Sequence, residues 1–181
     1  ANSRNCYPDI VKLARKRDHD YPLLMFLELI GNDVCNHRQD FDPMTTPKDF
    51  RANIIKLLDY LDSVVPVGSH LVVLGVANGS KIYEALENKM HPVGVSYPQF
   101  YDYQNCLGSS FCWGWLNTNK TVRDLTTQRA NELNEVYREL ATTYKPKNFD
   151  FVYYDFPVER IWNQWVAEGN DPYELFEPAD G

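Results

Sequence analysis

The sequence predicts an α/β fold in which a parallel sheet carries helices on both faces. Three apolar runs alternate along the chain with segments whose apolar residues recur at helical spacing, and this alternation is typical of parallel sheets wound by helices. The runs are nearly continuously apolar, as expected for strands buried on both faces. Ligands in such folds bind beyond the carboxyl ends of the strands, so the residues that follow each strand are the candidates for a functional site.

The first half of the chain is predicted to contain two helices and two strands. Residues 9–18 place apolar and basic residues on opposite faces of a short helix. The apolar run Leu23–Ile30 is predicted as a central strand covered on both faces. A second helix follows Thr46-Pro47, because Thr46 can cap it and Pro47 fits its first position. Ser69–Val76 is the next predicted strand. The apolar stripe of the second helix consists of Phe50, Ile54, Leu57, Leu58, Leu61 and Val65.

The second half continues the same alternation. It predicts a short helix over Ser80–Glu87, a long helix from Thr121, a strand over Phe149–Phe156 and a helix over Pro157–Glu168. The segment at about 91–118 mixes Pro, Gly, aromatic residues and two cysteines without clear periodicity, and it is too long for a plain connector. We predict that this segment is a functional insertion or lid.

Length and charge limit the classes of protein to which the chain can belong. Its 181 residues suit one domain of ordinary size, and 18 Lys and Arg against 25 Asp and Glu give a net charge of −7. Because the basic residues are scattered, the sequence argues against nucleic acid as the main partner. No apolar run approaches the roughly 20 residues of a transmembrane helix, so no membrane span is predicted.

The cysteines and two glycosylation motifs bear on the compartment. Cys106 and Cys112 flank a Gly-Ser-Ser turn that lets the chain double back, which predicts a local disulfide; free thiols in a cytosolic protein are the alternative. The partners of the other two cysteines, Cys6 and Cys35, stay open. No cysteine or histidine spacing predicts a metal site. The Asn-x-Ser/Thr motifs at Asn78 and Asn119 favour glycosylation, and hence a secreted or lysosomal protein.

A candidate catalytic group follows the first predicted strand, at Gly31-Asn32-Asp33. Gly31 allows a sharp turn, and the Asn32 amide at this edge of the sheet could donate a hydrogen bond to a developing oxyanion. The alternative is an Asn-Asp turn that satisfies its own backbone. Asp155, after the third strand, is interpreted as a helix lead-in. The histidines are interpreted as structural or surface residues: His19, His37, His70 and His91.

Motifs along essentially the whole chain carry a family resemblance. They are Tyr21-Pro22, Ile30-Gly31-Asn32-Asp33-Val34-Cys35, Met44-Thr45-Thr46-Pro47, Tyr60-Leu61-Asp62-Ser63, Gly68-Ser69-His70, His91-Pro92, Asn105-Cys106-Leu107, Gly114-Trp115, Asn119-Lys120-Thr121, Glu177-Pro178 and Asp180-Gly181. In this order they resemble the acyloxyacyl hydrolases, lipase-like esterases of the GDSL, or SGNH, hydrolase superfamily. The resemblance implies a flavodoxin-like SGNH hydrolase fold that is incomplete within residues 1–181, with the nucleophile block upstream and the catalytic His downstream. The superfamily usually has Gly-x-Asn-Asp in its Asn block, whereas Ile30 stands at the outer Gly position here.

The resemblance also implies roles for individual residues. Asn32 corresponds to the oxyanion Asn, and Asp180 to the acid of a Ser-His-Asp triad that hydrolyses esters without a cofactor. Gly31, Trp113 and Trp115 are expected to contact substrate, although packing of the two indoles within the insertion is the alternative.

The substrates and partners implied are those of the family. They are ester-linked fatty acyl chains of lipids, above all the secondary acyl chains of lipopolysaccharide, together with an upstream saposin-like segment of the same precursor. Structural calcium elsewhere in the parent protein stays open. The competing hypothesis is a catalytically inactive relative that binds lipid or has a structural role.

Overall fold

The computed structural model describes residues 2–6, 10, 21–36 and 38–178. Apart from residue 10, the helix predicted over residues 9–18 lies outside these ranges. The predicted α/β class is confirmed. The elements, in chain order, are β1 (Leu24–Leu27), α1 (Ile30–Val34), α2 (Pro47–Val64), β2 (Ser69–Leu74), α3 (Ser80–Leu86), α4 (Tyr97–Leu107), α5 (Lys120–Thr143), β3 (Phe149–Tyr154), α6 (Val158–Ala167) and a 3-10 helix (Pro172–Leu175).

The three described strands form one parallel sheet in the order β1-β2-β3. Phe26 is aligned with Val72 on the central strand, and Val72 with Val152 on β3. Parallel strands need long connections, and α2 supplies one between β1 and β2, while α3, α4 and α5 lie between β2 and β3. The carboxyl ends of all three strands therefore lie at the same end of the sheet, and α1 follows the carboxyl end of β1.

The structure differs from the prediction that the first strand is central and covered on both faces. In the described sheet β1 is an edge strand, and Leu24 and Phe26 are 64% and 65% exposed. Val152 and Tyr154 are exposed on the same face of β3. Because side chains alternate between the faces of a strand, this face carries an exposed apolar strip, while the side chains on the opposite face are buried or half-buried. Apolar composition predicted the strands but not which face is covered.

The described residues group into two compact units, and the first contains the sheet. It comprises Ala1–Asp33, Thr45–Val76 and Ala130–Phe156. The prediction for α2 is confirmed, since Thr46 caps the helix by accepting the Asp49 N–H at 3.1 Å. All six residues of its predicted apolar stripe are buried. One of them, Phe50, contacts the Tyr137 ring edge-on at 5.0 Å, so α2 and α5 share a core.

The second unit comprises Val34–Met44, Ala77–Arg129 and Pro157–Gly181. Its core cluster consists of Tyr83, Ala85, Leu86, Tyr97, Tyr101, Leu116 and Trp162. The helix α4, which lies inside the predicted insertion, was not predicted from the sequence. Its signals were present: Ser96 and Gln99 form a capping box, and Gly108 ends the helix in the left-handed conformation at φ 65°. None of the helices in the described ranges is both long and apolar enough to cross a membrane.

The predicted Cys106–Cys112 disulfide is wrong, because Cys112 is bonded to Cys35. Cys106 lies in the last turn of α4 with its thiol free and exposed. The Trp113 N–H donates to the Asn36 carbonyl at 2.9 Å, which places the segment containing Cys112 beside the segment containing Cys35. Proximity along the chain suggested the wrong partner because α4 directs Cys106 away.

Loss of the Cys35–Cys112 disulfide should destabilise the protein. The bond closes a loop across 77 residues of sequence, so we expect Cys35→Ser to lower the free energy of unfolding by about 2–4 kcal/mol in urea titrations. Cys106→Ser is the control and should change it by less than about 0.5 kcal/mol, since this thiol is exposed and free. Recovery of a peptide linked through Cys106 and Cys112 from a non-reducing digest would contradict the assignment.

Buried tyrosines should make the fold sensitive to alkali. Burial raises the pKa of Tyr97 and of Tyr153 to about 12 and holds the pKa of Tyr137 well above its ordinary value. Unfolded tyrosines titrate near about pH 10, so above that pH the native state binds more protons than the unfolded state. The stability involved is fully present below about pH 10 and is lost as the pH rises toward 12. Urea midpoints should fall between about pH 10 and pH 12, and the tyrosinate absorbance of the native protein should rise at higher pH than that of the unfolded protein. Midpoints that stay constant over this range would contradict the prediction.

Candidate active site

The predicted oxyanion residue Asn32 lies on α1, just beyond the carboxyl end of β1. Ile30, Asp33 and Val34 on this short helix are buried, whereas Asn32 is exposed. The Asn32 backbone N–H donates to the Leu29 carbonyl at 2.9 Å. The amide group of Asn32 is therefore presented to solvent on a turn whose other side is fixed in the core.

Asp33 fixes that turn through its buried carboxylate. The carboxylate accepts the Ser3 backbone N–H at 2.8 Å, the Ser3 hydroxyl at 2.6 Å and the Thr45 hydroxyl at 2.5 Å. The Thr45 N–H also donates to the Asp33 carbonyl at 2.9 Å, and the Asn53 amide donates to the Ser3 hydroxyl at 3.3 Å. Three separate stretches of chain are thus joined at the residue next to Asn32.

This arrangement differs from the alternative of an Asn-Asp turn that satisfies its own backbone, because the Asp33 carboxylate binds Ser3 and Thr45. No role was predicted for Asp33 from the sequence. A signal was available, since Ile30, Asp33 and Val34 have the i, i+3, i+4 spacing of one helix face, and a charged residue on a buried face needs partners.

The environment behind this turn disfavours further negative charge. Tyr137 is fully buried, and its hydroxyl has no hydrogen-bond partner among the described residues. Burial raises the pKa of Tyr137 well above the ordinary value, and the charges of Asp33 and Glu28 add to the effect. A neutral phenol therefore lies near the Asp33 carboxylate, and Asp33 depends on its hydroxyl and amide donors.

The structure assigns the other polar candidates to packing or to the surface. Asp155 accepts hydrogen bonds from the Tyr153 hydroxyl at 3.0 Å and from Arg138 at 3.3 Å. His70 faces Asp150 across the sheet, with 3.1 Å between Nδ1 and the carboxylate. His91 is buried in the aromatic core of the second unit. The predicted triad acid Asp180 lies outside the described residues, as do His19 and His37.

The three residues predicted to contact substrate differ in their surroundings: the space beside Gly31 is open, whereas both tryptophans are buried. A side chain added at Gly31 would meet nothing within 4 Å among the described residues, so the space beside Asn32 is open. Trp113 is buried with its ring edge-on to Phe41 at 5.2 Å. Trp115 is buried too, and its indole N–H donates to Thr127 at 3.0 Å. This burial favours the packing interpretation of both tryptophans.

The two glycosylation motifs differ in accessibility. Asn78 is half-buried, and its Oδ1 accepts hydrogen bonds from the Ser80 hydroxyl at 2.8 Å and the Thr127 hydroxyl at 2.9 Å. Asn119 is exposed at the start of α5, where its Oδ1 accepts the Thr121 N–H at 2.9 Å. Within the described ranges, no group of three or more His, Cys, Asp or Glu side chains is arranged to hold a metal ion.

Comparison with known proteins decides the family. The sequence model of the GDSL-like Lipase/Acylhydrolase family matches residues 4–181. The chain belongs to this family. Asn32 therefore belongs to a GDSL-family chain and lies on the turn that follows the parallel strand β1.

Three curated relatives match over all of the chain. Acyloxyacyl hydrolase of Mus musculus is 40% identical and that of Oryctolagus cuniculus is also 40% identical, with 33% of each relative covered. Acyloxyacyl hydrolase of Homo sapiens is 38% identical, with 32% covered. The chain therefore spans about a third of the length of these relatives.

Removing the Asp33 carboxylate should destabilise the fold around Asn32. We expect Asp33→Ala to lower the free energy of unfolding by about 3 kcal/mol, because the buried hydroxyls of Ser3 and Thr45 lose a charged acceptor. Urea titration measures the change. Asp124→Ala is the matched control, since Asp124 pairs with Lys120 on the surface and should matter by less than about 0.5 kcal/mol. Equal effects of the two substitutions would rule out a structural role for the Asp33 hydrogen bonds.

Proposed function

We propose that the protein containing this chain is a carboxylic ester hydrolase that removes ester-linked fatty acyl chains from lipids. The observation that carries the proposal is the exposed Asn32 amide on a turn held by buried Asp33, in a chain of the GDSL-like lipase/acylhydrolase family. The similarity to acyloxyacyl hydrolases supports fatty acyl chains as the groups that hydrolysis releases. The proposed substrate is lipopolysaccharide, with its secondary acyl chains as the site of cleavage.

Asn32 is proposed to stabilise the tetrahedral intermediate of ester hydrolysis. Attack on the ester carbonyl places negative charge on its oxygen, and a donor already held in position stabilises that charge without reorganising. Three features of α1 suit this role: the amide is exposed, the turn beneath it is anchored by Asp33, and the space beside Gly31 is open.

The rest of the proposed mechanism uses a Ser-His-Asp triad. Asp180 is proposed as the acid that orients the His and stabilises the imidazolium formed when the His takes the proton of the serine hydroxyl. The serine and the histidine are proposed to come from the parent protein outside these 181 residues. This chemistry needs no cofactor, because the protein supplies the nucleophile, the base and the oxyanion donor.

The proposed compartment is extracellular or lysosomal. A disulfide between Cys35 and Cys112 fits an oxidising environment, and exposed Asn119 is proposed as a glycan acceptor in preference to half-buried Asn78. A saposin-like segment of the same precursor is the proposed partner for extracting the lipid.

Substitution of Asn32 in the full-length protein tests the proposal. With acyl-labelled lipopolysaccharide as substrate, Asn32→Ala should lower kcat about a hundredfold or more. KM should change little, since the interaction forms only in the transition state. The urea midpoint should stay at the wild-type value, because the side chain is exposed.

Asn88→Ala is the matched control, since Asn88 is likewise exposed, and it should leave kcat unchanged. A wild-type kcat in Asn32→Ala would show that Asn32 is not the oxyanion donor. Failure of the wild-type protein to release fatty acid would overturn the enzymatic proposal and favour an inactive lipid-binding relative.

A further inference from the structure

We propose that the loop Met90–Ser96, called here the 90–96 loop, inserts its side chains into the surface of a lipid aggregate. The inference deepens the proposed function and rests on it, because a hydrolase of membrane or micellar lipid has to reach its substrate at such a surface. It assigns that contact to residues remote in sequence from Asn32.

The 90–96 loop has a fixed backbone. Met90 and Ser96 form an antiparallel bridge at its base. Within it the His91 N–H donates to the Val95 carbonyl at 2.8 Å, and the Gly94 N–H donates to the His91 carbonyl at 2.9 Å. Gly94 has φ +92°, a conformation that favours glycine. The loop is thus a tight turn with internal hydrogen bonds.

His91 anchors this turn to the second unit. It is buried, its ring stacks on Phe100 at 3.8 Å between centroids, and it meets Tyr97 edge-on at 5.2 Å. Ser96 caps α4 immediately afterwards. Since the histidine points into the core and the turn is closed behind it, the remaining side chains are directed outward.

Those outward side chains are apolar. Met90, Val93 and Val95 are 62%, 67% and 38% exposed. No Asp, Glu, Lys or Arg occurs from Met90 to Tyr101, in a chain whose residues are 24% charged. Lys89, immediately before the loop, is held in an ion pair with Asp171. Insertion of the tip into an apolar phase would therefore not desolvate a charged group of the loop, which would otherwise be costly.

The size of this apolar tip favours lipid over a protein partner. Three partly exposed side chains offer on the order of 300 Å², whereas each side of a stable protein interface buries about 800 Å². A lipid surface has no such threshold, because each inserted side chain contributes in proportion to its apolar area. A lipid aggregate is therefore the occupant that the geometry fits, and a second copy of the chain is not.

Vesicle binding by the full-length protein tests the inference. With phosphatidylcholine vesicles, Val93→Asp should lower the partition coefficient measured by co-sedimentation by about tenfold or more, since an apolar contact is replaced by a charge. Val67→Asp is the matched control, because Val67 is 70% exposed and lies between α2 and β2. The Val67→Asp protein should bind vesicles as the wild-type protein does. Val93→Trp fluorescence should be quenched by brominated lipid, and Val67→Trp fluorescence should not.

The outcomes separate this inference from the proposed function. Equal partitioning of wild type and Val93→Asp, including no binding by either, overturns the role of the loop. The role of the loop is also overturned if Val93→Asp changes the oligomeric state measured by sedimentation without lipid, because that change would indicate a protein contact. Hydrolysis of a dispersed short-chain ester reports the chemistry alone. It should be unchanged in Val93→Asp, and its absence in wild type would overturn the proposed function while the vesicle comparison still tests the loop.

Discussion

The first unit depends on a buried carboxylate that accepts three hydrogen bonds. Asp33 would be costly in the core without partners, and it obtains them from the backbone and hydroxyl of Ser3 and from the hydroxyl of Thr45. Because these donors come from different stretches of chain, the carboxylate specifies how the stretches meet. The same residue adjoins Asn32, so the constraint that stabilises the fold also determines where the exposed amide stands.

Helices and strands with regular periodicity could be predicted from the sequence. The spacing of apolar residues in α2 predicted both the helix and its buried face, and the Thr46 cap lies where the Thr-Pro signal placed it. The helix α4 was missed because its aromatic and polar residues hide the period, leaving only the signals at its two ends. The disulfide prediction was wrong for a related reason, since Cys106 was chosen as the partner without knowing that it belongs to α4.

The candidate site was predictable in part. Asn32 could be proposed because a polar side chain after a parallel strand is a local feature of the sequence. The position of Asp33 on a buried helix face was readable from its spacing, but its donors Ser3 and Thr45 were not, since they are distant in sequence and only the folded chain brings them together. For Trp113 and Trp115 the composition of the insertion left two interpretations open, substrate contact and packing, and their burial favours packing.

The pairing of β2 with β3 bears on how the chain folds. The two strands lie side by side, yet α3, α4 and α5 separate them in the sequence. Strand pairing across so long a loop is slow, because the entropy of loop closure is lost before the contacts between the strands can offset it. The intervening segment has a core of its own, built around Tyr83, Tyr97 and Tyr101. If that core condenses first, the effective loop between β2 and β3 shortens, so early collapse of the second unit should accelerate assembly of the sheet.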